Sequence, residues 1–113
     1  MEIRTTTKEV GFGVRDCVFS HFGVSGDKLY THGHTRALNA AKMYLYLIMH
    51  KDYGISIGQI ALFCEKSTRN IQACVAKMRY QIGQYAECAD EYESLVEKVR
   101  ERLSGQDHHS PLT

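Results

Sequence analysis

Thr68, Arg69, Gln72 and Lys77 are the side chains of this sequence whose types and spacing offer the most definite chemistry, and Lys66 and Ser67 stand directly before them. At ~100° per residue of helix, Arg69, Ala73, Ala76 and Tyr80 share one face, flanked by Gln72 and Lys77. Hydroxyl, guanidinium and amide groups in the first turns of a helix reach phosphates and base edges, and two alanines let the backbone approach a groove. The N-terminus of such a helix also favours a phosphate. This is recognition chemistry for double-stranded DNA, not bond-making chemistry. A second polar set, Thr31-His32-Gly33-His34-Thr35-Arg36, offers auxiliary phosphate or minor-groove contacts through His34 and Arg36. Its His-x-His spacing also raises metal binding, but no nearby cysteine or carboxylate completes a tetrahedral set, so no zinc site is read there or at His108-His109. No nucleophile, base and orienting group cluster along the chain, so neither an enzyme nor a cofactor is expected.

The elements that must position these groups form a helix-turn-helix. Ser56 is a good N-cap for a first helix carrying Ile57, Ile60, Ala61 and Phe63. After the polar turn Glu65-Lys66 a second helix restarts at Ser67 and spaces Ile71, Cys74, Val75, Met78 and Ile82 by threes and fours as its buried stripe. Gly83 is the expected C-cap, so the reading helix spans 67–82. The same spacing also fits an ordinary antiparallel helix pair with Arg69 and Lys77 simply solvated. Glu65, standing where a tight turn of this kind often has Gly, implies a longer or differently shaped connection.

Around this motif the pattern is helical throughout. Residues 1–8 read as a flexible arm, in which Arg4 and Lys8 are candidate DNA contacts. Val10, Val14, Cys17, Val18, His21 and Phe22 give a first helix, and Ser25 to Leu29 a short turn that tucks Leu29 and Tyr30 inward. Thr35 caps a helix to about His50 that is apolar nearly all round, as befits the centre of a bundle. A last helix over 85–103 carries Tyr85, Cys88, Tyr92, Leu95 and Val99 on one stripe and folds back on the domain, with pairing to a second copy as the alternative. Residues 104–113 read as a disordered tail. The fold class expected is all-α, a bundle of five to six helices, with residues 9–103 as one DNA-binding domain.

Composition agrees with a single domain: 113 residues, 43% hydrophobic, one proline. The net charge of +1 conceals an asymmetry. Residues 1–85 hold eleven Lys and Arg against six Asp and Glu, whereas residues 86–103 hold three against six. That split suits an electropositive binding face with an acidic helix elsewhere, and equally suits solvated surface charge. The acidic helix is a candidate surface for a protein partner or self-association. Cys17, Cys64, Cys74 and Cys88 have no Cys-x-x-Cys spacing and read as reduced. Without a hydrophobic leader or an apolar run long enough to span a bilayer, a cytoplasmic location is expected.

Ala41-Lys42-Met43-Tyr44-Leu45 and the stretch from Phe63 through Met78, in this order of elements, resemble the C-terminal DNA-binding domain of DnaA, the bacterial replication initiator. The resemblance covers roughly residues 14–103. It implies a six-helix, Trp-repressor-like fold that reads the major groove with the second helix of the motif and the minor groove with a basic loop. Where that family usually has Asp-His-Thr-Thr, this chain has Ser67-Thr68-Arg69-Asn70; where its loop is arginine-rich, this one has His32, His34 and Arg36. Lys66 keeps the basic character before the helix, and Lys77 falls where the family has a lysine near the helix end. No glycine-rich phosphate loop is present, so ATP hydrolysis by the initiator's mechanism is excluded. A rival expectation is a helical protein-interaction module that keeps the motif but has lost DNA binding.

Overall fold

The computed structural model describes residues 2–31 and 35–107, with side chains as far as Ser104. Five α-helices carry the described residues: α1 (Thr5–His21), α2 (Arg36–Leu47), α3 (Ile57–Cys64), α4 (Thr68–Gln84) and α5 (Ala86–Asp107), with no strand among those residues. A 3-10 turn, Gly26–Tyr30, follows α1, and α2 runs on into a π-helical segment, Ile48–Asp52. The expected all-α bundle is the fold.

α2 is the central element because almost nothing along it needs water. Ala41 to Met49 is a continuous buried run, and Leu38 joins it from the first turn. Thr35 starts the helix by accepting the Leu38 backbone N–H at 3.1 Å. α1 packs on α2, α3 and α5, while α4 packs on α2, α3 and α5 from the other side. Two glycines of α1 let neighbouring helices approach, Gly11 toward α3 and Gly13 toward α5. A Cβ on Gly11 would lie 2.6 Å from Phe63 Cζ, so only glycine admits the ring there.

Five expectations are corrected. The last helix runs to Asp107 rather than ending at Leu103, which takes residues 104–107 out of the expected tail. The first helix begins at Thr5 rather than Val10, which takes Thr5 to Lys8 out of the expected arm. The cause is Gln59 of α3: its Oε1 accepts the Arg4 N–H at 2.8 Å and the Thr7 hydroxyl at 3.0 Å, and its Nε2 donates to the Glu2 carbonyl at 3.0 Å. Gly83 does not end α4; the helix continues through it to Gln84, and Tyr85, in extended backbone, makes the break instead. Tyr30 stays 40% exposed, turned outward so that its hydroxyl donates to the Phe63 carbonyl at 3.2 Å. The helix expected to stop near His50 reaches Asp52, its final turn held by His50 Nδ1 and the Met49 carbonyl bonding to Ile55.

α5 folds back onto its own domain, buried through Tyr92, Leu95 and Val99. Tyr92 locks it to the π-helical segment, donating its hydroxyl proton to Asp52 and receiving a hydrogen bond from Lys51 Nζ, which also lies 4.8 Å from the ring centroid. No helix among the described residues is long and apolar enough to cross a membrane.

Candidate nucleic-acid interface

The turn of the helix-turn-helix is built without glycine. Glu65 closes α3 in the left-handed region, φ 57° and ψ 46°. Two bonds satisfy the last carbonyls: Lys66 N–H to Ala61 at 3.0 Å and Glu65 N–H to Leu62 at 3.4 Å. That pair is a Schellman closure, the ordinary short turn rather than the longer or differently shaped connection expected: Glu65 takes the position Gly usually occupies, where a Cβ is crowded. Ser67 then starts α4, its hydroxyl accepting the Asn70 N–H at 3.1 Å. At the other end of the motif Ser56 caps α3 in the same way, accepting the Gln59 N–H at 3.2 Å.

This closure fixes which way α4 faces. Ile71, Val75 and Met78 are buried against α2 and α3, with Cys74 and Ile82 partly covered beside them. The opposite face is open: Arg69, Gln72, Ala73, Ala76, Lys77 and Tyr80 are all exposed, as is Thr68 in the first turn. Ser67 is exposed too; its oxygen accepts the cap bond while its O–H proton stays free to donate. Lys66 is half-buried behind the turn. With the Asn70 and Ile71 N–H groups bonded to Ser67, the Thr68 and Arg69 N–H groups are the two left pointing out of the helix start.

Arg36 and Lys77, on different helices, line one cleft between α2 and α4. Lys66, Ser67, Thr68, Arg69 and Gln72 gather at the first turns of α4, with Lys77 lying ~7.5 Å further along the axis from Gln72. His34, together with His32, lies outside the described residues.

Among the described residues ion pairing is confined to α1 and α5. On the α1–α5 seam the cations are matched: Arg15 and Arg102 each hold Asp16 at 2.9 Å, and His21 bridges Glu91 at 3.1 Å and Lys98 at 2.9 Å. Among the described residues Arg36, Lys66, Arg69, Lys77 and Arg79 make no ion pair, and Arg4, Lys8, Lys28, Lys51 and Arg100 also make none. α4 contains no acidic residue, and neither does α2.

Two contributors were missed in the sequence. Arg79 is exposed on α4 seven residues after Gln72, on the same flank, and extending the polar arc by one more turn would have found it. Lys42 is the other. It is 8% exposed, and its Nζ donates to the Thr31 carbonyl at 2.6 Å, anchoring the start of the connection that leads to Arg36. Burial, reinforced by nearby Lys66, lowers the Lys42 pKa. A lone charge inside the apolar run 38–49 was the available signal.

Among the described residues no three His, Cys, Asp or Glu side chains gather as a metal-binding group. Neither a scan against protein-family models nor a comparison with curated proteins gives a match.

Proposed function

We propose that the chain binds double-stranded DNA by laying the exposed face of α4 in the major groove, in the manner of the replication initiator's C-terminal domain that its sequence resembles. The observation that carries this reading is the combination on one face of Arg69, Lys77 and Arg79 without an ion-pair partner among the described residues, two alanines, and no carboxylate on the helix. Arg69 and Gln72 supply base discrimination, while Lys66, Lys77, Arg36 and the open amides of Thr68 and Arg69 supply phosphate contacts. Replication initiation and transcription control are both compatible with such a domain, because fold does not fix the process.

The test is fluorescence anisotropy with a random duplex and an initiator-box duplex, for wild type and Arg69→Ala. Three phosphate contacts by Lys66, Lys77 and Arg36 give a log–log salt slope of about −2.7, so affinity falls by about 40-fold between ~50 and ~200 mM salt. Arg69→Ala lowers affinity by about 1–3 kcal/mol. Absence of duplex binding in low salt overturns the proposal and moves the search to a protein partner for α5, whose Glu87, Asp90, Glu93, Glu97 and Glu101 are exposed.

A further inference from the structure

Arg36, Asn39, Lys77, Gln81 and Tyr85 surround a cleft of about 640 Å³ between α2, α4 and the start of α5, floored by Met43, Tyr44 and Met78. A phosphate of the DNA backbone needs only the two cations at its rim. The depth behind them is surplus to that contact. Among the described residues the side chains of Arg36, Lys77, Gln81 and Tyr85 make no hydrogen bond or ion pair, and Asn39 reaches only the Met43 sulfur at 3.7 Å. Tyr85 leaves 53% of its surface open.

We propose that this cleft holds one nucleotide, with its phosphate between Arg36 and Lys77 and its base on the methionine floor against Tyr85. A guanidinium fork beside an ammonium suits a phosphate monoester dianion. Thioether and aromatic surfaces form a polarizable platform on which a base stacks. The Asn39 and Gln81 amides each offer a donor and an acceptor to the base edge. Glu91 closes the side toward α5 and holds His21 at 3.1 Å; its carboxylate repels a phosphate and so sets which end of the nucleotide lies there. The volume lies within the range of small-ligand sites. A free mononucleotide presents its phosphate as this dianionic monoester, an unpaired nucleotide of a DNA strand as a monoanionic diester, and both can meet the same two cations with the base on the same floor. The site does not depend on duplex binding.

The experiment is an amide-resolved NMR titration of the full chain with dAMP, deoxyadenosine and inorganic phosphate, repeated on Arg36→Gln/Lys77→Gln and on Ala40→Trp, which fills the cleft. At ~10 mM ligand a site of ~1 mM affinity is about nine-tenths filled. Saturable dAMP binding is expected, with shifts confined to the cleft-lining parts of α2, α4 and early α5. Deoxyadenosine and phosphate alone bind at least about tenfold more weakly, and both variants lose dAMP binding. The double variant changes only exposed side chains, so it remains decisive should Ala40→Trp disturb the fold. No saturable dAMP binding, equal binding of inorganic phosphate, or undiminished binding by the double variant overturns the proposal. Displacement of dAMP by a short single-stranded oligothymidylate assigns the site to a strand, and failure of displacement assigns it to the free nucleotide. Duplex affinity is measured separately, so its absence with dAMP binding intact refutes the duplex reading alone.

Discussion

Replacing Gln59 should unfasten the N-terminus from the helix-turn-helix. The side chain is 7% exposed and makes three long-range hydrogen bonds: two accepted, from the Arg4 N–H and the Thr7 hydroxyl, and one donated to the Glu2 carbonyl. At a net ~1 kcal/mol each, Gln59→Ala costs about 3 kcal/mol, and the Thr7 hydroxyl, left buried without its partner, pushes the figure up rather than down. For a domain of this size that is roughly a 12 °C fall in Tm. Gln59→Glu separates the bonds. It keeps both acceptor interactions but sets a carboxylate oxygen against the Glu2 carbonyl, so at neutral pH it loses about 1–2 kcal/mol. Once protonated, the introduced carboxyl again donates to that carbonyl. Its folded pKa is therefore raised, the lost stability is present below an unfolded value of ~4.3, and it disappears as pH rises through the folded pKa. Urea denaturation followed by circular dichroism at pH 4 and 7 measures both variants against wild type at each pH. A Gln59→Ala cost under ~1 kcal/mol, or a Gln59→Glu deficit that is the same at both pH values, refutes the assignment of these bonds.

Three further outcomes follow from the packing and the turn. Glu65→Gly relieves the left-handed turn at the cost of a more flexible unfolded chain, a net gain of about 0.5 kcal/mol in thermal denaturation, and on the proposed function it also tightens duplex binding by removing the acid beside Lys66. Gly11→Ala and Gly13→Ala should part company in urea titrations. The first drives a methyl to within 2.9 Å of three Phe63 ring atoms and loses about 1–2 kcal/mol despite better helix propensity; the second meets the mobile end of Leu103 at 2.6 Å and stays within about 0.5 kcal/mol of wild type. Burial pushes the Cys64 thiol up from 9.0 to about 12, so its contribution to stability is intact below pH 9 and is lost as pH rises toward 12. Burial raises Tyr44, Tyr46 and Tyr92 in the same direction. Alkaline unfolding curves of Cys64→Ala should accordingly be flatter than wild type between those limits.

What could be read in the sequence was local. Ser56, Ser67 and Thr35 announce their helices because a cap acts on amides two or three residues away, and all three make those bonds. The buried stripe of α4 follows from its period alone, and with it the exposed arc of Arg69, Ala73, Ala76 and Tyr80. The early start of α1 could not be read this way. Three consecutive threonines have poor helix propensity, and the helix forms there because Gln59, 52 to 57 residues distant, supplies the bonds. A local rule about Gly83 failed for the complementary reason. Tertiary packing of α4 on α5, with Ile82 partly buried against the core, outweighs the ~1 kcal/mol that a glycine costs a helix interior.

The candidate interface divides along the same line. Period and residue type were enough to select Arg69, Gln72 and Lys77. That Arg36 and Lys77 line one cleft depends on how α2 crosses α4, which neither helix encodes alone. Lys42 was invisible as a positioning group because its partner is a main-chain carbonyl, that of Thr31, and a carbonyl has no side-chain signature. Charge was legible only as a count along the chain. Which cations remain available for a polyanion depends on which are already neutralised, and that follows from α1 and α5 meeting at Asp16, His21 and Glu91. That seam absorbs Arg15 and Arg102, whereas Arg36 of α2 and Arg69, Lys77 and Arg79 of α4 stand without an ion pair among the described residues, a contrast that the near-neutral sequence total does not carry.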